Sequence, residues 1–102
     1  MDTKRCKLFL TVVETGSMAG AAAKTGYTPS GIVRAVKALE GDLGFSLLYR
    51  NTRGIELTEE GKLVFPQLKE LVYQSERVEN LSDKIKGLET GEISVGTYFS
   101  TR

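Results

Sequence analysis

Along the first half of the chain, apolar residues recur at helical spacing and glycines cut the pattern into short pieces. Leu8, Phe9, Val12 and Val13 share one side of a helix that is expected to stop at Gly16, a residue suited to the left-handed turn after a helix end. Ser17 is placed to cap a second short helix through Ala19, Ala21, Ala22 and Ala23, which ends near Gly26 and can pack closely on its neighbours. Thr28 can cap a third, with Pro29 at the first helical position, where a missing N–H costs nothing. In that helix Ile32, Val36, Leu39 and Leu43 fall in one arc, and Gly44 is expected to end it. Ser30, Arg34 and Lys37 lie on the opposite arc, with Val33 at its edge. One arc makes core; the other is left for a ligand. Two capped helices around a short turn containing Gly26 read as a helix-turn-helix.

The next pattern is of a different kind. Two short apolar runs within Leu47-Leu48-Tyr49-Arg50-Asn51-Thr52-Arg53-Gly54-Ile55-Glu56-Leu57, joined by a polar loop, predict a β-hairpin that carries Arg50 and Arg53. A basic hairpin after a helix-turn-helix is a wing. Thr58 then caps a long helix whose first turn holds Glu59 and Glu60, a favourable place for acids. Val64, Leu68, Leu71, Ser75, Val78, Ser82 and Ile85 alternate spacings of four and three, the seam of a coiled coil, with serine at two of the seven positions. Pro66 inside the pattern is expected to bend the helix near its start. Over 58–88 such a helix would be about 45 Å long, too long to lie wholly on so small a body, so part of its stripe needs another partner. Glu92-Ile93-Ser94-Val95-Gly96 reads as the first strand of something further.

Composition narrows the chemistry. The 102 residues allow one small domain with an appendage. One cysteine, Cys6, excludes an internal disulfide framework, and with no histidine the usual zinc ligand sets and every His-based acid/base scheme are gone. No phosphate-loop glycine spacing occurs, and Glu59-Glu60 is explained by the helix dipole, so no catalytic residue, metal or cofactor is expected. Cys6 reads as a small helical residue, since nothing nearby in sequence would lower its pKa. The opening MDTKRCKLFLTVVETG has basic residues before an apolar run, but Thr11 and Glu14 break it, so it reads as an amphipathic helix of a cytoplasmic protein rather than a leader. The net charge of +1 hides an asymmetry: up to Leu57 eight Lys/Arg face five acids, and from Thr58 on six face eight.

Taken singly, Arg34 and Lys37 are ordinary solvated charges and the amphipathic stripe is ordinary packing surface. Their order along the chain carries more. Capped second helix, Gly-containing turn, Thr-Pro restart, basic outer face and basic hairpin follow one another as a winged helix requires. The alternative is a non-enzymatic protein-interaction module that uses the same winged helix and coiled coil, its basic face incidental. Salt separates the two: DNA binding weakens steeply as salt rises, and an apolar protein contact does not.

Gly16-Ser17-Met18, Ala21-Ala22, Ser30, Leu39-Glu40, Leu43-Gly44, Leu47, Arg50, Arg53, Leu57-Thr58 and Gly61 together resemble the N-terminal DNA-binding domain of LysR-type transcriptional regulators, without a gap over 8–61. The resemblance implies a mainly α fold: a winged helix-turn-helix DNA-binding domain at 1–58, a linker helix at 59–90 that pairs two subunits, and at 91–102 the start of an effector-binding domain. It further implies that a homodimer binds double-stranded DNA at an interrupted palindrome near a promoter, with higher oligomers open to the full-length protein. DNA contacts implied by the family fall on Thr28, Pro29, Ser30, Val33, Arg34, Lys37 and Arg53, with Ser17 and Met18 near a phosphate. Val33 stands where many members have serine, which exchanges a polar contact for one with a thymine methyl. Thr25 replaces a frequent core leucine and Leu48 a frequent phenylalanine. A small-molecule inducer binds the C-terminal domain of full-length members, and this chain breaks off before that site, as a truncated or separately expressed domain would. The expected function is sequence-specific DNA binding by a bacterial-type regulator.

Overall fold

The computed structural model describes residues 1–90, so the strand expected at 92–96 lies outside the described residues. The elements are α1 (Thr3–Thr15), α2 (Met18–Thr25), α3 (Pro29–Leu43), β1 (Leu48–Asn51), β2 (Gly54–Leu57) and α4 (Glu59–Thr90). Residues up to Val72 form one compact unit and the rest of α4 belongs to a second that begins at Tyr73. The fold is mainly helical, as the pattern predicts: three helices, a two-stranded wing and a long helix.

Chain punctuation explains the helix ends. Ser17 and Thr28 accept hydrogen bonds from the amides of Gly20 and Gly31 at 2.8 and 3.0 Å, each satisfying a donor that the first turn leaves open. Gly16, Gly26 and Gly44 stop the three helices in the left-handed conformation, at φ of 80°, 83° and 91°. Asp2 caps α1 by accepting from the Lys4 amide.

α1 packs against α2 and α3, and the residues that meet are the ones the periodicity selects. Phe9, Val12, Ile32 and Leu39 are fully buried, Leu43 half-buried, and Leu47 closes the cluster from the loop before the wing. Burying each of the largest contributes about 1.5–3 kcal/mol. Cys6 sits in the same core, where burial is the main cause that pushes its thiol pKa up, so it behaves as a small apolar side chain.

The start of α4 is built onto the wing. The Thr58 hydroxyl accepts from the Gly61 amide at 2.9 Å and donates to the Ser46 carbonyl at 2.6 Å, while the Thr58 amide donates to the Leu47 carbonyl at 2.9 Å. A side chain at Gly61 would run into that carbonyl, so only glycine lets the helix approach. The helix is continuous through Pro66, which itself is exposed.

The domain's own core covers the first part of the stripe on the long helix. Leu68, read as one position of a contact between two chains, is buried at 4% exposure in the domain's own core, and Val64 and Leu71 pack against that core. Phe65 meets Phe9 edge to face, 6.3 Å between ring centres. Spacings of four and three report an apolar stripe, not whose surface covers it. Further along, Val78 is exposed and Ser75, Ser82 and Ile85 are half-buried.

Candidate nucleic-acid interface

The turn between α2 and α3 is tightened by Thr25. The Thr25 hydroxyl donates to the Ala21 carbonyl at 2.8 Å and accepts from the Tyr27 amide at 3.4 Å, which ties the end of α2 to the turn. Thr28 follows as the cap of α3, its hydroxyl 3.3 Å from that of Ser30. Thr28, Pro29, Ser30, Arg34 and Lys37 are all exposed. The N-terminus of α3, with its partial positive charge, therefore faces outward with two cations on the following turns.

Beside α3 stands the wing, paired Leu48 to Leu57, Tyr49 to Glu56, Arg50 to Ile55 and Asn51 to Gly54. Its two basic residues are placed differently, one on a strand and one in the turn. Arg50 shares a face with Leu48, Ile55 and Leu57, which pack on the core, whereas Arg53 sits with Thr52 in the two-residue turn at the tip. Both arginines are exposed. The wing is fixed to α3 through Glu40, whose carboxylate accepts from the amides of Leu47 and Leu48 at 2.7 and 3.3 Å. The sequence shows Glu40 only as part of a motif, since its role needs the chain to return past the end of α3.

Two hollows mark what the fold brings together. Ser17, Met18, Pro29, Arg50 and Arg53 line a cleft of about 570 Å³, where the starts of α2 and α3 meet the wing. Met18, Val33, Lys37 and Arg50 line a smaller cavity of about 210 Å³ between α3 and the wing, whose floor includes Leu48 and Ile55. Val33 and Met18 are half-buried and face this cavity, while Arg34, Thr28 and Ser30 line neither hollow and lie on the open arc. The start of α2 and two arginines around one cleft suit an anion such as a phosphodiester.

A polar group on the wing was not singled out from sequence. Glu56 accepts from the Tyr49 hydroxyl at 3.1 Å and from the Asn51 side-chain amide at 2.8 Å, and the Asn51 side-chain oxygen accepts from the Arg53 backbone amide at 2.9 Å. The hydrogen bond from Asn51, then that from Tyr49, holds the Glu56 carboxyl below its ordinary pKa, and the charges of Arg53 and Lys62 act in the same direction.

A helix-turn-helix with a wing and a cationic outer arc defines a DNA-binding domain of the winged class. Residues 3–62 match the family described as bacterial regulatory helix-turn-helix protein, lysR family, and the chain belongs to that family, one of transcriptional regulators and not of enzymes. It is the DNA-binding domain of a LysR-type regulator. The chain is 37% identical over 101 residues to the HTH-type transcriptional regulator TcbR of Pseudomonas sp. (strain P51), covering 99% of this chain and 34% of TcbR. With the uncharacterized HTH-type transcriptional regulator YvbU of Bacillus subtilis (strain 168) it shares 33% over 99 residues, 96% of this chain and 34% of YvbU. The chain thus spans about a third of the length of these relatives. Among solved structures, the CbnR DNA-binding domain in complex with DNA superposes with a TM-score of 0.73 at 36% identity, over 82% of this chain and 97% of that one. No described helix is long and apolar enough to cross a membrane.

Proposed function

We propose that this chain binds a dyad-symmetric promoter site as a homodimer, each copy setting the start of α3 in the major groove with Arg53 of the wing against the adjacent backbone or minor groove. The observation that carries the reading is the exposed arc of α3: Ser30, Arg34 and Lys37 point away from the core that Ile32, Val36 and Leu39 build. Lysines, arginines and helix-start amides anchor phosphates, and Arg34 reads base edges one turn into the helix. Val33, at the edge of the arc, offers a thymine methyl an apolar contact. Residues 1–58 serve as the DNA-binding domain and 59–90 as the linker and dimerisation helix, on which Tyr73, Val78 and Leu81 expose apolar surface. Residues 91–102 open an effector-binding domain whose remainder takes a small-molecule inducer, in a cytoplasmic regulator.

Selection of binding sites from a random DNA pool tests this reading. Recovery of a dyad-symmetric sequence supports it; no enrichment of any sequence sinks it. On the selected site Arg34→Ala is expected to cost about 1–3 kcal/mol, and far less on random DNA. Equal losses on both would make Arg34 a phosphate contact only.

A further inference from the structure

A two-stranded hairpin with four-residue strands is weakly held by its ladder alone, and its tip is the least held part. Here the tip carries Arg53, the wing residue assigned to DNA. The outer face of the hairpin supplies a second set of ties. Glu56 joins Tyr49 directly across the ladder and Asn51 diagonally, and Asn51 passes the constraint to the Arg53 amide. Asn51 can satisfy both partners in one orientation only: its NH₂ must face the carboxylate and its oxygen the amide. The chain of bonds therefore fixes the tip rather than merely touching it. A carboxylate is otherwise a poor choice in this place, since it lowers the positive potential of a basic loop that meets a polyanion.

We propose that Glu56 is a positioning residue for DNA binding: through Tyr49 and Asn51 it holds the 51–54 turn in the geometry that aims Arg53 at the phosphate backbone. The proposal rests on the reading of Arg53 as a wing contact. It makes an unusual demand on sign. Charge alone dictates that removing a carboxylate near DNA tightens binding, whereas loss of a positioning group weakens it.

The experiment measures binding of a random-sequence duplex pool by fluorescence anisotropy over a range of salt, with circular dichroism as the check on folding, for Glu56→Ala, Glu56→Gln, Asn51→Ala and Arg53→Ala, and for the first and third combined with Arg53→Ala. Glu56→Ala and Asn51→Ala are expected to weaken binding several-fold and to make the slope of log affinity against log salt shallower, toward the loss of about one unit that Arg53→Ala produces. Glu56→Gln, with one carbonyl oxygen left to accept, is expected to fall between wild type and Glu56→Ala. In the Arg53→Ala background neither change is expected to weaken binding further. Should Glu56→Ala fail to fold, Asn51→Ala decides the matter, because it alters no charge. Tighter binding by Glu56→Ala, wild-type binding by Asn51→Ala, or an undiminished loss in the Arg53→Ala background would overturn the proposal while leaving the wing contact intact. An Arg53→Ala variant with unchanged affinity and slope would remove the wing contact itself, and the positioning role with it.

Discussion

Glu56 keeps its charge further into acid than an isolated glutamate, because Asn51 and Tyr49 both donate to the ionised form. Its folded pKa lies below its unfolded one, so the stability it adds is fully present above the ordinary glutamate value of about 4.3 and is lost as pH falls through the folded value. Urea unfolding of wild type and Glu56→Gln at a series of pH values is expected to show a constant gap at neutral pH that narrows only in acid. A gap that closes already above that range would mean that Asn51 and Tyr49 do not hold Glu56 in its charged form. Residue roles were unevenly legible. Ser17, Thr28 and Thr58 announce themselves because a cap is a local event, read within three residues of its helix. Glu40 and Glu56 do not, since their partners are the amides of Leu47 and Leu48 and the side chains across a hairpin, which sequence brings near only after the strands are paired.

At the scale of elements, the same residue type is required at one position and tolerated at another. Gly41 lies in α3 with open space where a Cβ would stand, whereas a Cβ at Gly61 in α4 would strike the Leu47 carbonyl. Helix propensity favours alanine at both by about 0.5–1 kcal/mol. Gly41→Ala is therefore expected to raise the midpoint of thermal unfolding. Gly61→Ala is expected to lower it, because backbone cannot yield as a flexible side chain can, at a net cost of about 1–3 kcal/mol. Stabilisation by both would show that α4 does not approach the wing as closely as the structure has it. The ends of α1, α2 and α3 and the starts of α2 and α3 follow the sequence closely because glycines at positive φ and capping hydroxyls mark them. What the periodicity of α4 leaves open is the partner of its stripe, and Phe65, Leu68 and Val72 turn out to serve the domain they belong to.

At the scale of the whole molecule, that assignment moves the proposed contact between two copies toward the later turns of α4. Leu71 packs on the core, so Leu71→Asp would test the domain's own stability as much as any dimer. Leu81 is the better probe. It is 57% exposed and Val78 66%, and with Ile85 and Leu88 they keep the alternation of three and four that a coiled-coil seam requires, without the serines at 75 and 82. An aspartate at Leu81 would put a carboxylate into that contact at a cost of several kcal/mol, and separation of the two chains returns it to water. Leu81→Asp is expected to keep the circular dichroism of the folded domain, to sediment as a monomer, and to bind a half-site weakly. It loses the gain of about 10²–10⁴ that tethering gives on the full palindrome, because the second half-site then has to recruit its partner from solution. Analytical ultracentrifugation alongside circular dichroism separates the outcomes: a dimer that persists at full affinity places the interface elsewhere, and loss of the folded signal assigns Leu81 to the chain's own packing.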